Sequence, residues 1–441
     1  MKGSVIREKR KEKGLSQSKL SNLIDASQPQ ISRWELQKDE IPKRKLNEIL
    51  QTIGSLTDDE IKKINKKKKH ESSAKRSYSY PKSKNSECTR NCDTSPKLPE
   101  YGLFNDDIGK SDAGPKAVAL FAGCGGFTLG FKFAGYNIEG YVEKEDHFRE
   151  IYESNFRNVD LLGKDIRNLK SERVESWLSD VGSIDLVFGG PPCQGFSLAG
   201  KRNEDDPRNQ LFRDYARVVE VLQPKVILME NVRLLTSMDA PDGRKVVDHI
   251  KQALRQSGYI ADFAELNAKH FGVPQSRERV FFLGVRKDLG VSDIEFPEHT
   301  HGSAESLFAQ DLSRIRTFSE ATSDLKNLES GERSDCDPWH FAVSHPPHVI
   351  RWLEDVPEGR SAHENDDPDL RPNSGYNTTY KRIKSNEPCS TIGTNFGMIS
   401  GSRNVHPTDT RSFTVREAMR VQTFPDNFKM FGKLYKRSIE T

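Results

Sequence analysis

Residues 184–197, IDLVFGGPPCQGFS, give the strongest indication of how this chain folds. This stretch begins as a short apolar run of the kind that forms a buried strand. Two glycines and two prolines then end the strand and stiffen the following loop. Open α/β sheets bind ligands beyond the carboxyl ends of their strands. The loop therefore presents Cys193 as a candidate nucleophile, and an inert core cysteine is the less favoured interpretation.

Similar apolar runs occur on both sides of this stretch and alternate with amphipathic segments. They include KAVALF at residues 116–121, YNIEGYVE at 136–143 and KVILMENV at 225–232. Strands and helices that alternate in this way predict a parallel sheet covered by helices on both faces. We therefore predict an α/β fold with a doubly wound sheet over residues 115–288.

The first of these strands runs into the glycine-rich turn FAGCGG, residues 121–126. Its spacing differs from the dinucleotide motif, and no Lys-Ser/Thr pair follows as in a P-loop. Glu143 ends the next strand, twenty residues after Gly123, where a carboxylate can accept both hydroxyls of an adenosine ribose. Asp165 can serve an adenine amino group. The pattern indicates a nucleotide-like cofactor, and a purely structural turn is the alternative.

Charged side chains end two further strands. Glu230 closes the apolar run KVILME, where a partly desolvated carboxyl group is a candidate proton donor. The run PQSRERVFFLGV, residues 274–285, carries Arg277 and Arg279, a fork of positive charge suited to phosphate and carbonyl oxygens. The alternatives are a simple salt bridge for the glutamate and an exposed polar edge for the arginines.

Residues 1–60 predict a small all-α domain. Ser16 and Ser27 can each cap a helix, with a tight turn at residues 25–26 between them. This spacing resembles the Xre/Cro repressor family over residues 4–54. The second helix would then offer three side chains to DNA, namely Gln28, Gln30 and Arg33. A helical docking module of the same shape is the alternative.

Residues 61–114 predict a flexible basic linker. Ten Lys or Arg face a single Glu between residues 61 and 84, so the segment cannot bury enough apolar surface to order itself. The lysines either follow DNA phosphates or are merely solvated. Cys88 and Cys92 lack a second ligand pair at zinc spacing, and we predict no metal site.

The whole-chain composition excludes several classes of protein. At 441 residues the chain should form two or three compact units. It contains neither an apolar run of the roughly 18 to 20 residues that span a membrane nor a signal-peptide core, which predicts a cytoplasmic protein without a membrane partner. Its six cysteines are too scattered for a disulfide framework.

Taken in order, FAGCGG, Glu143, Asp165, PPCQGFS, ENV and QSRER resemble the DNA cytosine-5 methyltransferase family. RSFTVREAMRVQTFPDNF, residues 411–428, is similar to its late structural motif, and the resemblance covers residues 116–431. It implies S-adenosyl-L-methionine as cofactor. The residues that the resemblance places around this cofactor are Phe121, Gly123, Gly125, Glu143, Asp165, Ile166 and Leu211.

The resemblance also implies the chemistry and the partners. Cys193 would attack carbon 6 of a cytosine flipped out of double-stranded DNA, while Glu230 stabilises the ring at N3. Arg277 and Arg279 would hold the flipped nucleotide, and Gln275 counts among the DNA contacts. The irregular residues 289–406 occupy the target-recognition position, and residues 407–441 return to the catalytic domain.

The resemblance to type II modification enzymes of this family implies that the chain protects DNA from a cognate restriction enzyme. The helix-turn-helix domain implies binding to the chain's own promoter, repression of its operon and dimer formation through that domain.

One family feature is missing. The late motif is normally followed by a Gly-Asn-rich segment that completes the cofactor pocket, and we find none after residue 431 or within residues 62–114. We expect a truncated enzyme, a complementing C-terminal fragment or weak cofactor binding. The alternative function is a DNA-binding transcriptional regulator with an inactive methylase body. Methylation of tRNA is disfavoured because the CFT signature is absent, and a nicotinamide oxidoreductase would leave PPCQ and ENV unexplained.

Overall fold

The computed structural model describes two compact units, one up to Thr57 and one from Gly114 onward. The described residues are 2–13, 20, 23–24, 31, 43–55, 57, 114–192, 211–240, 242–302, 312–373 and 376–430. The predicted linker, with Cys88 and Cys92, lies outside them, as do Cys193, Gln28, Gln30 and Arg33.

The described residues of the first unit are helical. Helix α1 covers Lys2–Glu12 and helix α2 covers Lys43–Ser55. Their apolar side chains form one buried cluster, made of Ile6, Leu20, Ile24, Ile31, Ile49 and Ile53. An amphipathic pattern of this kind stabilises short helices through their packing rather than through propensity alone.

The second unit is built on a seven-stranded mixed sheet, which confirms the predicted α/β class. Its strands are β1 Lys116–Leu120, β2 Asn137–Val142, β3 Asp160–Gly163, β4 Leu186–Gly189, β5 Val226–Val232, β6 Tyr259–Asn267 and β8 Glu278–Arg286. They lie in the order β3-β2-β1-β4-β5-β8-β6. The first five strands in this order, β3, β2, β1, β4 and β5, are parallel to one another, and β1 lies at their centre.

The expectation of an entirely parallel sheet is wrong at β8. This strand runs antiparallel to both of its neighbours, β5 and β6. The connection between β6 and β8 is too short for the crossover of about a dozen residues or more that a parallel neighbour needs, so the chain turns back as a hairpin.

Helices cover both faces of the sheet. They are α3 Gly126–Phe133, α4 Asp146–Asn155, α5 Ser171–Val181, α6 Leu211–Leu222 and α7 Val246–Gln256. Side chains alternate along β1, so Val118 and Leu120 join the cluster that includes α5, α6 and α7. Ala117 and Ala119 join the cluster that includes Leu129 of α3. Because both faces are buried, the carboxyl edge of the sheet is left for ligands.

The residues after β8 form few long elements. They contain the short strands β9 His301–Gly302, β10 Ser313–Arg314 and β11 Cys389–Ser390, and the short helices α8 Phe318–Thr322, α9 Pro347–Leu353 and α10 Val415–Arg420. Strand β11 pairs with the two-residue strand β7, Gln275–Ser276, just ahead of β8. Single 3-10 turns connect elements throughout the unit, at Ile166–Asn168, Arg233–Ser237, Ala268–Phe271, Lys287–Leu289, Ala362–Glu364, Pro368–Leu370 and Ile399–Gly401. No helix in the described ranges has the length and apolar character to cross a bilayer.

Candidate active site at the carboxyl edge of the sheet

The turn after β1 holds a carboxylate in a fixed orientation. Gly123 and Gly125 have positive φ angles of 55° and 93°. The backbone N–H of Gly123 donates to Oε2 of Glu143 at 2.8 Å, and that of Glu145 donates to Oε1 at 2.8 Å. A Cβ on Gly125 would lie 2.2 Å from the Phe156 ring, so only glycine permits this turn. Each oxygen of Glu143 keeps acceptor capacity for a further donor.

The chain after β3 adds polar and apolar groups to this edge. Asp165 accepts hydrogen bonds from the backbone N–H and the guanidinium of Arg167, and the side-chain bonds are the main reason why the pKa of this carboxyl is lowered. Ile166 and Leu211 are buried in the apolar cluster of one sheet face, and Phe121 packs against that cluster. Phe121 has a φ of 54°, an uncommon conformation for a bulky residue and one that often marks a functional turn.

This edge fits an adenosine-containing cofactor. A Cβ built on Gly123 would meet no atom within 4 Å, so space lies open above the turn. The Glu143 carboxylate beside it can accept hydrogen bonds from ribose hydroxyls, and the Asp165 carboxylate can accept one from an amino group. Ile166 and Leu211 lie in the apolar cluster that supports this edge of the sheet.

A second polar group lies at the end of β5. The Nε of Arg279 is 2.9 Å from Oε1 of Glu230, and the Nη2 of Arg277 is 4.0 Å from the same oxygen. Burial lowers the pKa of Arg277, and the neighbouring positive charge of Arg279 lowers it further. Two guanidinium groups thus share one carboxylate, which leaves positive charge available to a phosphate or a carbonyl oxygen.

The loop that carries Cys193 begins beside this group. The side-chain amide of Asn231 donates to the backbone oxygen of Pro191 at 3.0 Å. A Cβ on Gly190 would lie 3.1 Å from Oε2 of Glu230, so the strand end and the carboxylate are in close contact. The described residues therefore bring the base of the Cys193 loop, Glu230 and the two arginines together.

The sequence did not single out the contribution of Asn231. Its side-chain oxygen also accepts the backbone N–H of Val232 at 2.9 Å, so the amide joins the end of β5 to the end of β4. A short polar residue near the end of an apolar strand was the available indication, but the pattern does not reveal a partner forty residues away.

Gln275 does not belong to this group. It is only 1% exposed, and its amide bonds to backbone groups rather than facing solvent. This placement offers no surface to a base edge, so we do not carry it into the DNA contacts.

Comparisons with known proteins agree with this geometry. Residues 116–438 match the profile of C-5 cytosine-specific DNA methylases, and residues 6–61 match a helix-turn-helix profile. The type II methyltransferase M.DdeI of Desulfomicrobium norvegicum is 33% identical over 347 residues, which cover 72% of this chain and 80% of that protein. M1.HphI of Haemophilus parahaemolyticus, also a type II methyltransferase, is 36% identical over 320 residues, which cover 72% and 79%.

A crystal structure of a prophage-encoded protein from E. coli, described as a DNA modification methyltransferase, shares the fold. Its TM-score is 0.55 at 24% identity, and the match covers 74% of this chain and 93% of that one. The sheet, the site geometry and the family match over most of the second unit lead to one conclusion. This chain belongs to the C-5 cytosine-specific DNA methylase family, as a DNA cytosine-5 methyltransferase that uses S-adenosylmethionine and carries a helix-turn-helix domain at its N-terminus.

Proposed function

We propose that the enzyme methylates carbon 5 of a cytosine flipped out of a specific duplex sequence, with Cys193 as nucleophile and Glu230 at the ring N3. The observation that carries this proposal is the 3.0 Å hydrogen bond from Asn231 to the Pro191 oxygen. It anchors the start of the Cys193 loop next to the carboxyl end of β5, which contains Glu230. Cys193 follows Pro191 by two positions in the sequence, so we assign its thiol to the same ring as the Glu230 carboxyl group.

The chemistry follows from these two side chains. The Cys193 thiolate forms a bond to carbon 6, and Glu230 supplies a proton to N3, which makes carbon 5 nucleophilic. S-adenosylmethionine supplies an electrophilic methyl group on its sulfonium. Methyl transfer to carbon 5 leaves the sulfonium as a neutral thioether, and Glu230 takes back the proton from N3. The proton on carbon 5 then passes to a base, the bond between carbon 6 and sulfur breaks, and the thiolate is released.

A cytosine stacked in a duplex is out of reach of any such thiol. Flipping it costs a few kcal/mol, which contacts to the extruded nucleotide must offset. Arg277 and Arg279 are suited to this role because their combined charge exceeds that of the carboxylate they share. We assign them to the flipped nucleotide and its phosphate.

For the cofactor we assign Glu143 to the ribose hydroxyls and Asp165 to the adenine amino group. The supporting observation is the open space above Gly123, next to a carboxylate already oriented by two backbone N–H groups. The remaining predicted cofactor residues would enclose the adenosine, namely Phe121, Gly125, Ile166 and Leu211.

We assign recognition of the target sequence to two turns in the irregular part of the second unit, one next to Tyr376 and one next to Met398. Tyr376 is 81% exposed and Met398 is 62% exposed, the largest values among the large apolar side chains of the described residues. The backbone N–H of Tyr380 donates to the oxygen of Ile399 at 3.3 Å, which fastens the two turns together. Apolar side chains of this kind can contact thymine methyl groups in the major groove.

The biological role we propose is protection of DNA from a cognate restriction enzyme. The helix-turn-helix domain would repress the chain's own promoter as a dimer. Replacing Gln28, Gln30 and Arg33 together by Ala should abolish binding to a promoter fragment in a gel-shift assay and leave methylation intact. Equal loss of both activities would contradict this division of labour.

A duplex that contains 5-fluorocytosine tests the catalytic proposal directly. Fluorine cannot leave carbon 5 as a proton does, so the bond to the Cys193 sulfur persists after methyl transfer. We expect wild-type enzyme with S-adenosylmethionine to form a complex that survives denaturing electrophoresis, and Cys193→Ser to bind the duplex without forming it. A wild-type enzyme that binds DNA and cofactor but yields no covalent complex would contradict the mechanism.

A further inference from the structure

Gln275 joins three segments that are far apart in sequence. It lies in β7, and its side-chain Nε2 donates to the backbone oxygen of Val421 at 3.4 Å. Its Oε1 accepts the backbone N–H of Ile392 at 3.3 Å. The amide therefore uses both its donor and its acceptor inside the protein, between the end of α10 and the chain that follows β11.

The chain around Gln275 is fastened to the same region by further bonds. β11 pairs with β7, the backbone N–H of Cys389 donates to the oxygen of Pro274 at 3.0 Å, and the hydroxyl of Thr391 donates to the oxygen of Ser276 at 2.8 Å. Residues 389–392 thus hold β7 in place through these hydrogen bonds.

The two arginines differ in what holds them. Arg279 lies in β8, paired with Val232 of β5 and Leu266 of β6, so the sheet fixes its backbone. Arg277 precedes β8 and directly follows β7, and its backbone N–H donates to Oδ1 of Asn267 at 3.1 Å. It therefore lies at the junction between the sheet and the segment held by residues 389–392.

We propose that Gln275 is a positioning residue that fixes Arg277 relative to residues 389–392, so that docking of the irregular region on its target sequence sets this arginine for catalysis. The inference rests on the proposed function. If the side-chain amide of Gln275 is removed, the backbone N–H of Ile392 and the backbone oxygen of Val421 stay buried without a partner. Residues 389–392 then hold β7 less firmly. Direct base reading by Gln275 is incompatible with its 1% exposure.

Two variants separate positioning from DNA contact. Gln275→Met keeps the length of the side chain and removes both hydrogen bonds, whereas Gln275→Glu keeps the acceptor for Ile392. We expect Gln275→Met to lower kcat by about tenfold while KM for the target duplex stays within about threefold, because one to two buried hydrogen bonds are lost away from the DNA surface. Gln275→Glu buries a carboxylate against the Val421 oxygen, so it should lower kcat at least as far as Gln275→Met, again with little change in KM.

Asn365 provides the matched control. Its side-chain amide also donates to two backbone oxygens, those of Trp352 and Leu370, both at 2.8 Å, and it lies in the same irregular region. Asn365→Leu should lower thermal stability without changing kcat. Hydrogen exchange gives a readout that does not need activity: Gln275→Met should expose residues 389–392 and 275–279 together, and Asn365→Leu should expose neither.

Three results would decide against parts of this picture. A raised KM with unchanged kcat in Gln275→Met would make Gln275 a DNA contact and overturn the inference. An equal loss of kcat in Asn365→Leu would overturn it as well, because any weakening of the region would then suffice. A wild-type enzyme that methylates no duplex would instead contradict the proposed function, and the exchange experiment would still test the coupling of the two segments.

Discussion

The two halves of the second unit are stabilised by different interactions. Residues 114–288 bury apolar side chains on both faces of a sheet whose strands satisfy one another's backbone groups. Residues 312–430 contain few strands, and buried arginines satisfy their backbone instead. Arg382, only 2% exposed, donates to the backbone oxygens of His406, Asp409 and Leu353 at 2.7 to 2.9 Å.

An irregular region can thus still form a defined structure. Loop carbonyls buried without strand partners must find donors, and a guanidinium offers five in a fixed plane. The charge is then balanced locally. Arg411, only 1% exposed, bonds to both oxygens of Glu417 and to Asp409 at 2.7 to 2.8 Å. Both members of these ion pairs are buried, whereas the buried Arg149 of the sheet half pairs with an exposed carboxylate, that of Asp146.

Removing one of these buried cations should have the largest effect on stability. Arg411→Met leaves Glu417 and Asp409 buried without their partner, which should cost about 3 to 5 kcal/mol in denaturant unfolding. Arg314→Ala is the control, because its pair with Glu320 is exposed and should contribute about 1 kcal/mol or less. Similar losses in both variants would show that burial of the ion pair does not distinguish the two regions.

The sequence predicted the first half well for a physical reason. Strands such as β1, β4 and β5 are continuous apolar runs because both of their faces are buried, and glycines mark the turn after β1. It missed the direction of β8, since the local pattern of a strand does not encode its neighbour. It gave no indication of the bond from Asn231 to Pro191 or of the burial of Gln275, because a polar residue that bonds across the fold looks like any surface residue.

The second half could be predicted only as irregular. Periodic patterns identify apolar faces, and they do not reveal that Arg382 or Arg411 is buried. Their partners lie elsewhere in the chain, such as Leu353 and Leu328, and no spacing rule connects them. Base-reading residues of the first helical domain and Cys193 lie outside the described residues, so their contacts remain predictions.

Mild acid should loosen the irregular half before the sheet. Burial lowers the pKa of His406 and of His345 to about 4 each, and both accept a backbone N–H, from Asp409 and Ser412 respectively. The unfolded chain binds these protons near pH 6.5, so their contribution to stability is complete above that pH and is lost as pH falls toward 4. In the sheet half, burial also lowers the pKa of His270, but this residue lies in the 3-10 turn after β6 and not in β1, β4 or β5. The lowered pKa of Asp165 costs stability only as the pH falls below about 3.8.

Hydrogen exchange between pH 7.5 and 5 measures this difference. Protection of residues 312–430 should fall across that interval, while protection of β1, β4 and β5 should change little after correction for the intrinsic exchange rate. The double variant His345→Asn with His406→Asn should remove most of the pH dependence. Equal loss of protection in both halves would contradict the assignment to these histidines.

A smaller effect separates two glycines within the sheet half. Gly125→Ala places a Cβ against the Phe156 ring at a φ of 93°, which should cost about 1 to 3 kcal/mol of stability. Gly123→Ala meets no atom, so its stability cost should be limited to about 1 to 2 kcal/mol of left-handed strain. Its methyl group would nevertheless fill the space assigned to the cofactor. Calorimetry should show weaker S-adenosylmethionine binding in Gly123→Ala, and unchanged affinity there would contradict the assignment.

The smallest effect on stability, and the most informative about specificity, should come from the exposed turns. Tyr376→Ala removes a side chain that is 81% exposed, so the free energy of unfolding should change by less than about 0.5 kcal/mol. Single-base sequencing of methylated DNA should nevertheless reveal additional target sequences. Leu289→Ala, which removes an apolar side chain 42% exposed beside β8, should leave the target unchanged. If neither variant changes the methylated sequence, another surface reads the DNA, and the two turns lose their assigned role.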